Sequence, residues 1–430
     1  MEFIKIKTIN DWNNICGMFR QKDRNTKNEE PIVRKILNNV QAQGDKALVS
    51  YSRKFDYPKF SAQLIKLSSK EISQSKKSVS QDFIKTLKKA VKNITEFHRE
   101  EKRRIFSWEK KKKDSVVGQR VIPIEKIGVY VPGGRAPLCS TVLMNVIPAQ
   151  IAGAEKVILC TPLGKNGKIN PYIVLAADLL GIKDIYCLGG AQAIAAMAYG
   201  TETVPKVDKI VGPGNIYVAL AKKMVFGNVG IDSFAGPSEV LIIADASADP
   251  EFVAADLLSQ AEHDPDAQSV LITDSLLLAK AVEKEINIQK ELLSRKNIID
   301  ISLKKNGMMI IVKDLEQAIT LTNIKAPEHL ELMVKDPSYL LKKVKNAGAV
   351  FLGAYTPESV GDYWAGPNHV LPTGGTARFS SSLSVYDFIK RTNYMLYSRS
   401  ALYRSNIEIS KIAEVEGLTA HANSVKIRKK

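Results

Sequence analysis

From residue 121 onward, short runs of β-branched and aliphatic residues alternate with longer Ala- and Leu-rich stretches. No other feature constrains the fold so strongly. A strand, a crossover helix and a second strand form a βαβ unit, and repeated units build a parallel sheet with helices on both faces. Residues 121–132 read as a strand running into Pro132-Gly133-Gly134. Further strands are predicted at 156–160, 184–188 and 209–211, with helices at 141–151, 171–180 and 191–199. A second set has strands at 240–244, 269–273, 308–312 and 349–352, separated by helices at 250–261, 275–288 and 338–345. Two Rossmann-like parallel-sheet units of similar size are expected. Ahead of them, 31–52 and 72–104 carry apolar residues at spacings of three and four, the pattern of amphipathic helices. The residues after Arg378 hold a Ser-rich stretch and one or two helices, with no third sheet expected. The expected division is a helical region at 1–115, α/β units at 116–235 and 236–377, and a small helical segment at 378–430.

Composition narrows the class. Of 430 residues, 45% are hydrophobic and 25% charged, the balance of a folded globular chain. No apolar run approaches the roughly 18 residues of a spanning helix, and the opening MEFIKIKTINDW lacks the apolar core of a secretory leader. Four cysteines without a CxxC pair do not make a disulfide scaffold. A cytoplasmic location is the expectation. The net charge of +17 is uneven: residues 1–126 hold 30 Lys+Arg against 15 Asp+Glu, and the rest hold 32 against 30. Its densest run is HREEKRRIFSWEKKKK at 98–113. Such a run suits a phosphate backbone, but solvated helix faces explain charge runs more often. No RNA-binding aromatic signature or zinc-knuckle spacing accompanies it. Binding of nucleic acid is therefore not expected, and the basic excess is read as lying away from every motif.

Three glycine clusters close predicted strands: VPGG at 131–134, GGAQ at 189–192 and GPGN at 212–215. Ligands of open α/β sheets bind at the carboxyl ends of strands, so together the clusters suggest a ligand crevice. Neither GxGxxG nor GxxxxGK[ST] occurs. The five histidines are His98, His263, His329, His369 and His421. Gln260 and His263, three apart in LLSQAEHD, would share a face if helical. Glu328 precedes His329 in APEHLEL, Asp362 and His369 share the Gly- and Pro-rich GDYWAGPNHVLPTGG, and Glu416 precedes His421 in EGLTAHANS. His98, inside the basic run, reads as surface. Any one of these is more often a capping or hydrogen-bonding residue than a ligand, and a metal site needs three or four donors. Spacing nominates them without joining them. Cys160 and Cys187 lie in apolar strands and read as core. Cys139, after the first glycine turn, is a nucleophile candidate with no His beside it in sequence, and is not favoured.

At this point the chain resembles the histidinol dehydrogenase family over nearly its whole length. The resemblance rests on GVYVPGG (128–134), GGAQAIAAMAYGT (189–201), VPKVDKIVGPGN (204–215), AGPSEVLIIAD (235–245), DLLSQAEHDPDAQ (256–268), APEHLEL (326–332), GDYWAGPNHVLPTGGTARF (361–379) and EGLTAHANSV (416–425). Residues 1–115 match loosely, in length and helical character. The resemblance implies an α/β fold of aldehyde-dehydrogenase-like type. It also implies oxidation of L-histidinol to L-histidine through histidinaldehyde, with two NAD and a Zn2+ ion. It implies a homodimer whose C-terminal segment crosses to the partner. By motif, zinc would be held by Gln260, His263, Asp362 and, from the other subunit, His421. Glu328 and His329 match the acid–base pair. Ser238, His369 and Glu416 match substrate positions, joined there by Gln260, His263, His329, Asp362 and His421. Tyr130, Gln192 and Asn215 match NAD positions. None of these residues departs from the pattern. The chemistry suits them: imidazole is a good zinc ligand, and a His base titrates near neutrality. Addition of water to the aldehyde needs no thiol. The competing readings are a related NAD-dependent dehydrogenase of another small polar alcohol and a basic nucleic-acid-binding protein.

Overall fold

The computed structural model describes residues 1–20, 26–133, 138–233 and 236–429. Gly134 of the first glycine cluster and Ala235 of the fourth motif lie outside them. The strands are β1 (Glu2–Lys5), β2 (Trp108–Lys112), β3 (Ser115–Pro123), β4 (Lys126–Tyr130), β5 (Lys156–Cys160), β6 (Ile185–Tyr186), β7 (Lys209–Val211), β8 (Gly230–Ile231), β9 (Glu239–Ala244), β10 (Gln268–Thr273), β11 (Met308–Ile311), β12 (His329–Met333), β13 (Ala349–Leu352) and β14 (Ile389–Tyr397).

Two parallel sheets carry the architecture. The first has the order β6-β5-β4-β7-β8 and the second β1-β11-β10-β9-β12-β13. Leaving β1 aside, each follows the same doubly wound order, with chain direction across the sheet reversing between β4 and β7 and between β9 and β12. The second sheet is buried on both faces, which is why its strands read as unbroken apolar runs. Val240, Ile242 and Leu271 face one core while Leu241, Ile243, Val270 and Ile272 face the other. Each such side chain contributes about 1.5–3 kcal/mol relative to exposure. A separate core joins the first sheet to the N-terminal helices: Val33, Ile36, Leu48, Leu87 and Ile94 pack with Val129, Leu159 and Ile210.

Three expectations need correction. A third sheet exists: β14 pairs antiparallel with β3, and β3 with β2. The strand Ile389–Tyr397 escaped notice because most of its residues are exposed, leaving no apolar alternation to read. The basic run is not one helix face, since helix Gln81–Arg103 ends within it and WEKKK becomes the exposed edge strand β2. His98 is not at the surface: it is fully buried on that helix, with Nδ1 2.7 Å from Glu101 Oε2. Among the described residues no helix is long and apolar enough to cross a membrane.

Candidate active site

The three glycine clusters meet at the carboxyl ends of β4, β6 and β7. Tyr130, last residue of β4, accepts a hydrogen bond on its hydroxyl from the Gly190 N–H at 3.0 Å. Gln192, in helix Gly190–Tyr199, donates from Nε2 to Asp56 at 3.2 Å. Asn215 caps helix Ile216–Val225 by accepting from the Tyr217 and Val218 N–H groups. All three line one cleft of about 1170 Å³ with Pro132, Gly133, Pro162 and Tyr217. Its opposite wall comes from helices Glu29–Gln43 and Asp45–Phe55 and includes Lys35, Tyr51, Lys54 and Asp56. The basic N-terminal third is thus not remote from every motif, because two of its lysines face this cleft. Burial raises the Asp56 carboxyl to about 6, against hydrogen bonds that pull it down.

The second constellation sits at the opposite polarity, where β9 and β12 begin. Helix Pro250–Ala261 starts on an Asp249 cap with Pro at its first turn and delivers Gln260 to this point, fully buried. The helix stops at Ala261, so His263 lies beyond it and is exposed; the shared-face argument for Gln260 and His263 does not apply. The His329 Nδ1 lies 3.1 Å from the Glu239 carbonyl oxygen. A carbonyl only accepts, so Nδ1 carries the proton and Nε2 the lone pair. That Nε2 is buried without a hydrogen-bond partner, 3.7 Å from Glu358 Oε1 and 3.9 Å from Asp362 Oδ1. Gln260 Nε2 approaches the same ring at 3.4 Å, and Gln260 Oε1 is likewise unpartnered. Glu328 accepts from the Glu239 N–H at 2.8 Å. His369 Nδ1 lies 3.1 Å from the Asp362 carbonyl oxygen. Ser238 is half-buried just before β9.

Burial sets the electrostatics here. It pushes Glu328, Glu331 and Glu358 well above the ordinary carboxylate range and Asp362 to about 7. It lowers His329 to about 3 and His369 to about 4, with nearby His263 contributing in the same direction. The site therefore gathers acids that resist ionising and imidazoles that resist protonation. A cation there would favour the ionised carboxylates and would suit imidazoles that stay neutral. Donor atoms of His329, Glu358 and Asp362 fall within 4.8 Å of one another, a spacing that fits a metal ion. Gln260 Oε1, buried and unpartnered, is a further oxygen donor on the side chain that approaches the His329 ring.

The sequence profile of the histidinol dehydrogenase family matches residues 19–429. The chain belongs to the histidinol dehydrogenase family. The histidinol dehydrogenase of Caldanaerobacter subterraneus subsp. tengcongensis is 52% identical over 416 residues, covering 96% of each chain. The crystal structure of histidinol dehydrogenase from Elizabethkingia anophelis superposes with a TM-score of 0.92 at 41% identity, over 100% of this chain and 98% of that one. An acetylating aldehyde dehydrogenase from Geobacillus thermoglucosidasius shares the fold alone, with a TM-score of 0.50 at 11% identity over 90% of this chain and 97% of that one. Histidinol dehydrogenases are oxidoreductases of histidine biosynthesis, and this chain is one by membership.

Of the residues nominated from sequence, Gln260, Glu328, His329, Asp362 and His369 converge. Tyr130, Gln192 and Asn215 form the separate cleft. Glu416 and His421 do not join either group: both are exposed at the C-terminal helices. Glu358, Glu331 and Asp256 were not among the residues nominated from sequence in this histidinol dehydrogenase. Glu358 precedes Asp362 by four positions on helix Glu358–Tyr363, and that spacing was the available signal. Burial raises the Cys139 thiol, which argues against a thiolate nucleophile in this family member.

Proposed function

We propose that the chain oxidises L-histidinol to L-histidine through histidinaldehyde, delivering two hydrides to two NAD, as a cytoplasmic homodimer. The buried, unpartnered lone pair of His329, facing Glu358 and Asp362, carries this reading. Gln260, His263 and Asp362, with His421 from the partner subunit, would hold zinc. When bound, zinc supplies Lewis-acid polarisation and a fixed point for the substrate imidazole. His329 takes the alcohol proton on Nε2 while the carbinol hydrogen leaves as hydride. Glu328, held by the Glu239 N–H, takes the proton of the water that adds to the aldehyde. The resulting hydrate then loses the second hydride. Ser238, His369 and Glu416 orient the substrate. Tyr130, Gln192 and Asn215 hold the dinucleotide, whose nicotinamide carries the redox chemistry.

Subunit sharing is supported by the C-terminal segment. Met395, Leu396, Ile407, Ile412 and Val415 leave apolar surface exposed there, as a swapped arm would. The deciding assay is NADH release from limiting L-histidinol, with and without a chelator. The expected result is two NADH per substrate, abolished by chelation and restored by Zn2+. One NADH per substrate, or turnover insensitive to chelator, would overturn the proposal.

A further inference from the structure

We infer that Lys222 and Asp232 are positioning residues for the dinucleotide loop 212–215. The inference rests on reading the glycine-lined cleft as the NAD site. Lys222 lies on helix Ile216–Val225 and Asp232 follows β8; they form an ion pair with side chains only 3% and 4% exposed. Between them the pair binds both polar backbone groups of Gly212. Lys222 Nζ donates to the Gly212 carbonyl oxygen at 2.9 Å, and the Gly212 N–H donates to Asp232 Oδ2 at 2.8 Å. Gly212 has φ +114°, and a Cβ there would overlap the carbonyl oxygen of Tyr130. The pair therefore presses the loop after β7 against the end of β4, where Tyr130 enters the cleft.

Stability alone does not account for such a pair. A buried ion pair gives up so much hydration that an apolar pair of equal volume is often as stable or more so. Its distinctive property is directional: two opposite charges fix one peptide unit on both sides. Three residues on, Asn215 spends Oδ1 on the Tyr217 and Val218 N–H groups, which leaves its amide nitrogen for a ligand. Lys222 lies two turns beyond Asn215 on the same helix side, so its hold on Gly212 sets where that nitrogen stands.

The test compares Lys222→Met, Asp232→Asn and, as reference, Asn215→Ala, each measured for kcat and for KM toward NAD and L-histidinol. NADH binding by fluorescence and thermal unfolding are followed alongside. Asp232→Asn is isosteric and keeps the experiment decisive if Lys222→Met does not fold. In the folded variants KM for NAD should rise about tenfold, with KM for histidinol unchanged and kcat falling less. If both KM values rise together, or only the melting temperature falls, the role is structural and the inference fails. It also fails if nothing changes in variants of Lys222 or Asp232 while Asn215→Ala weakens NAD. If Asn215→Ala itself leaves NAD binding intact, the cleft reading falls first.

Discussion

The lone-pair nitrogen of His329 faces the Glu358 carboxyl at 3.7 Å, too far for a hydrogen bond and close enough for both to touch a third atom. The second Glu358 oxygen is also buried and unpartnered. Two buried polar groups at that separation suit a bridging atom that interacts with both.

Glu358→Gln should therefore weaken metal retention. The variant keeps the volume and removes one buried charge. Losing a residue that supports a metal site typically lowers affinity or activity about 10–100-fold. Zinc content after dialysis and kcat at saturating zinc measure the two separately, and unchanged zinc affinity would count against a role for Glu358.

Glu328→Gln should slow oxidation of histidinaldehyde more than oxidation of histidinol. A general base contributes on the order of 10²–10⁴ in rate, and only the aldehyde step needs water activated. Stopped-flow NADH traces started from each substrate make the comparison. Equal losses would mean that Glu328 serves both steps alike.

Asp56 predicts a pH dependence of stability. Its carboxyl titrates at about 6 when folded, above the ordinary value of 3.8, because burial disfavours the charge. The folded state thus binds the proton more tightly than the unfolded one. The stability this gives is fully present below 3.8 and is lost as pH rises through about 6. Asp56→Asn cannot ionise, so its melting temperature should gain on the native chain's across that interval. A constant difference would show that Asp56 does not titrate there.

Mixing Glu328→Gln subunits with His421→Ala subunits should restore activity that neither has alone. If each site takes His421 from its partner, a mixed dimer has one intact site, and random exchange yields about a quarter of native turnover. No recovery after verified exchange would leave His421 acting within its own subunit.

The α/β core was legible because buried strands and capped helices write their periods into the sequence. Helix Pro250–Ala261 and strand Ala349–Leu352 match their predicted bounds. The strand His329–Met333 was not legible. HLELM places Glu331 inside a sheet, and nothing local says that a carboxyl hydrogen-bonded to Asp256 can be buried there. The third sheet hid for the opposite reason: β14 is exposed, and its partner β3 precedes it by more than 260 residues. The site followed the same logic. Motifs named Gln260, His329 and Asp362, but only the reversal between β9 and β12 shows that they gather at the amino ends of the strands.

The pairing of β1 with β11 has a consequence for synthesis. Glu2–Lys5 leave the ribosome roughly 300 residues before Met308–Ile311 exist to receive them. At about 5–20 residues per second, that is a wait on the order of tens of seconds. During it, most of the core joining the helices 29–103 to the first sheet already exists, lacking Leu383, Val385 and Phe388, while β1 has no partner strand. β1 thus joins the second sheet only once β11, which follows β9 and β10 along the chain, has been made.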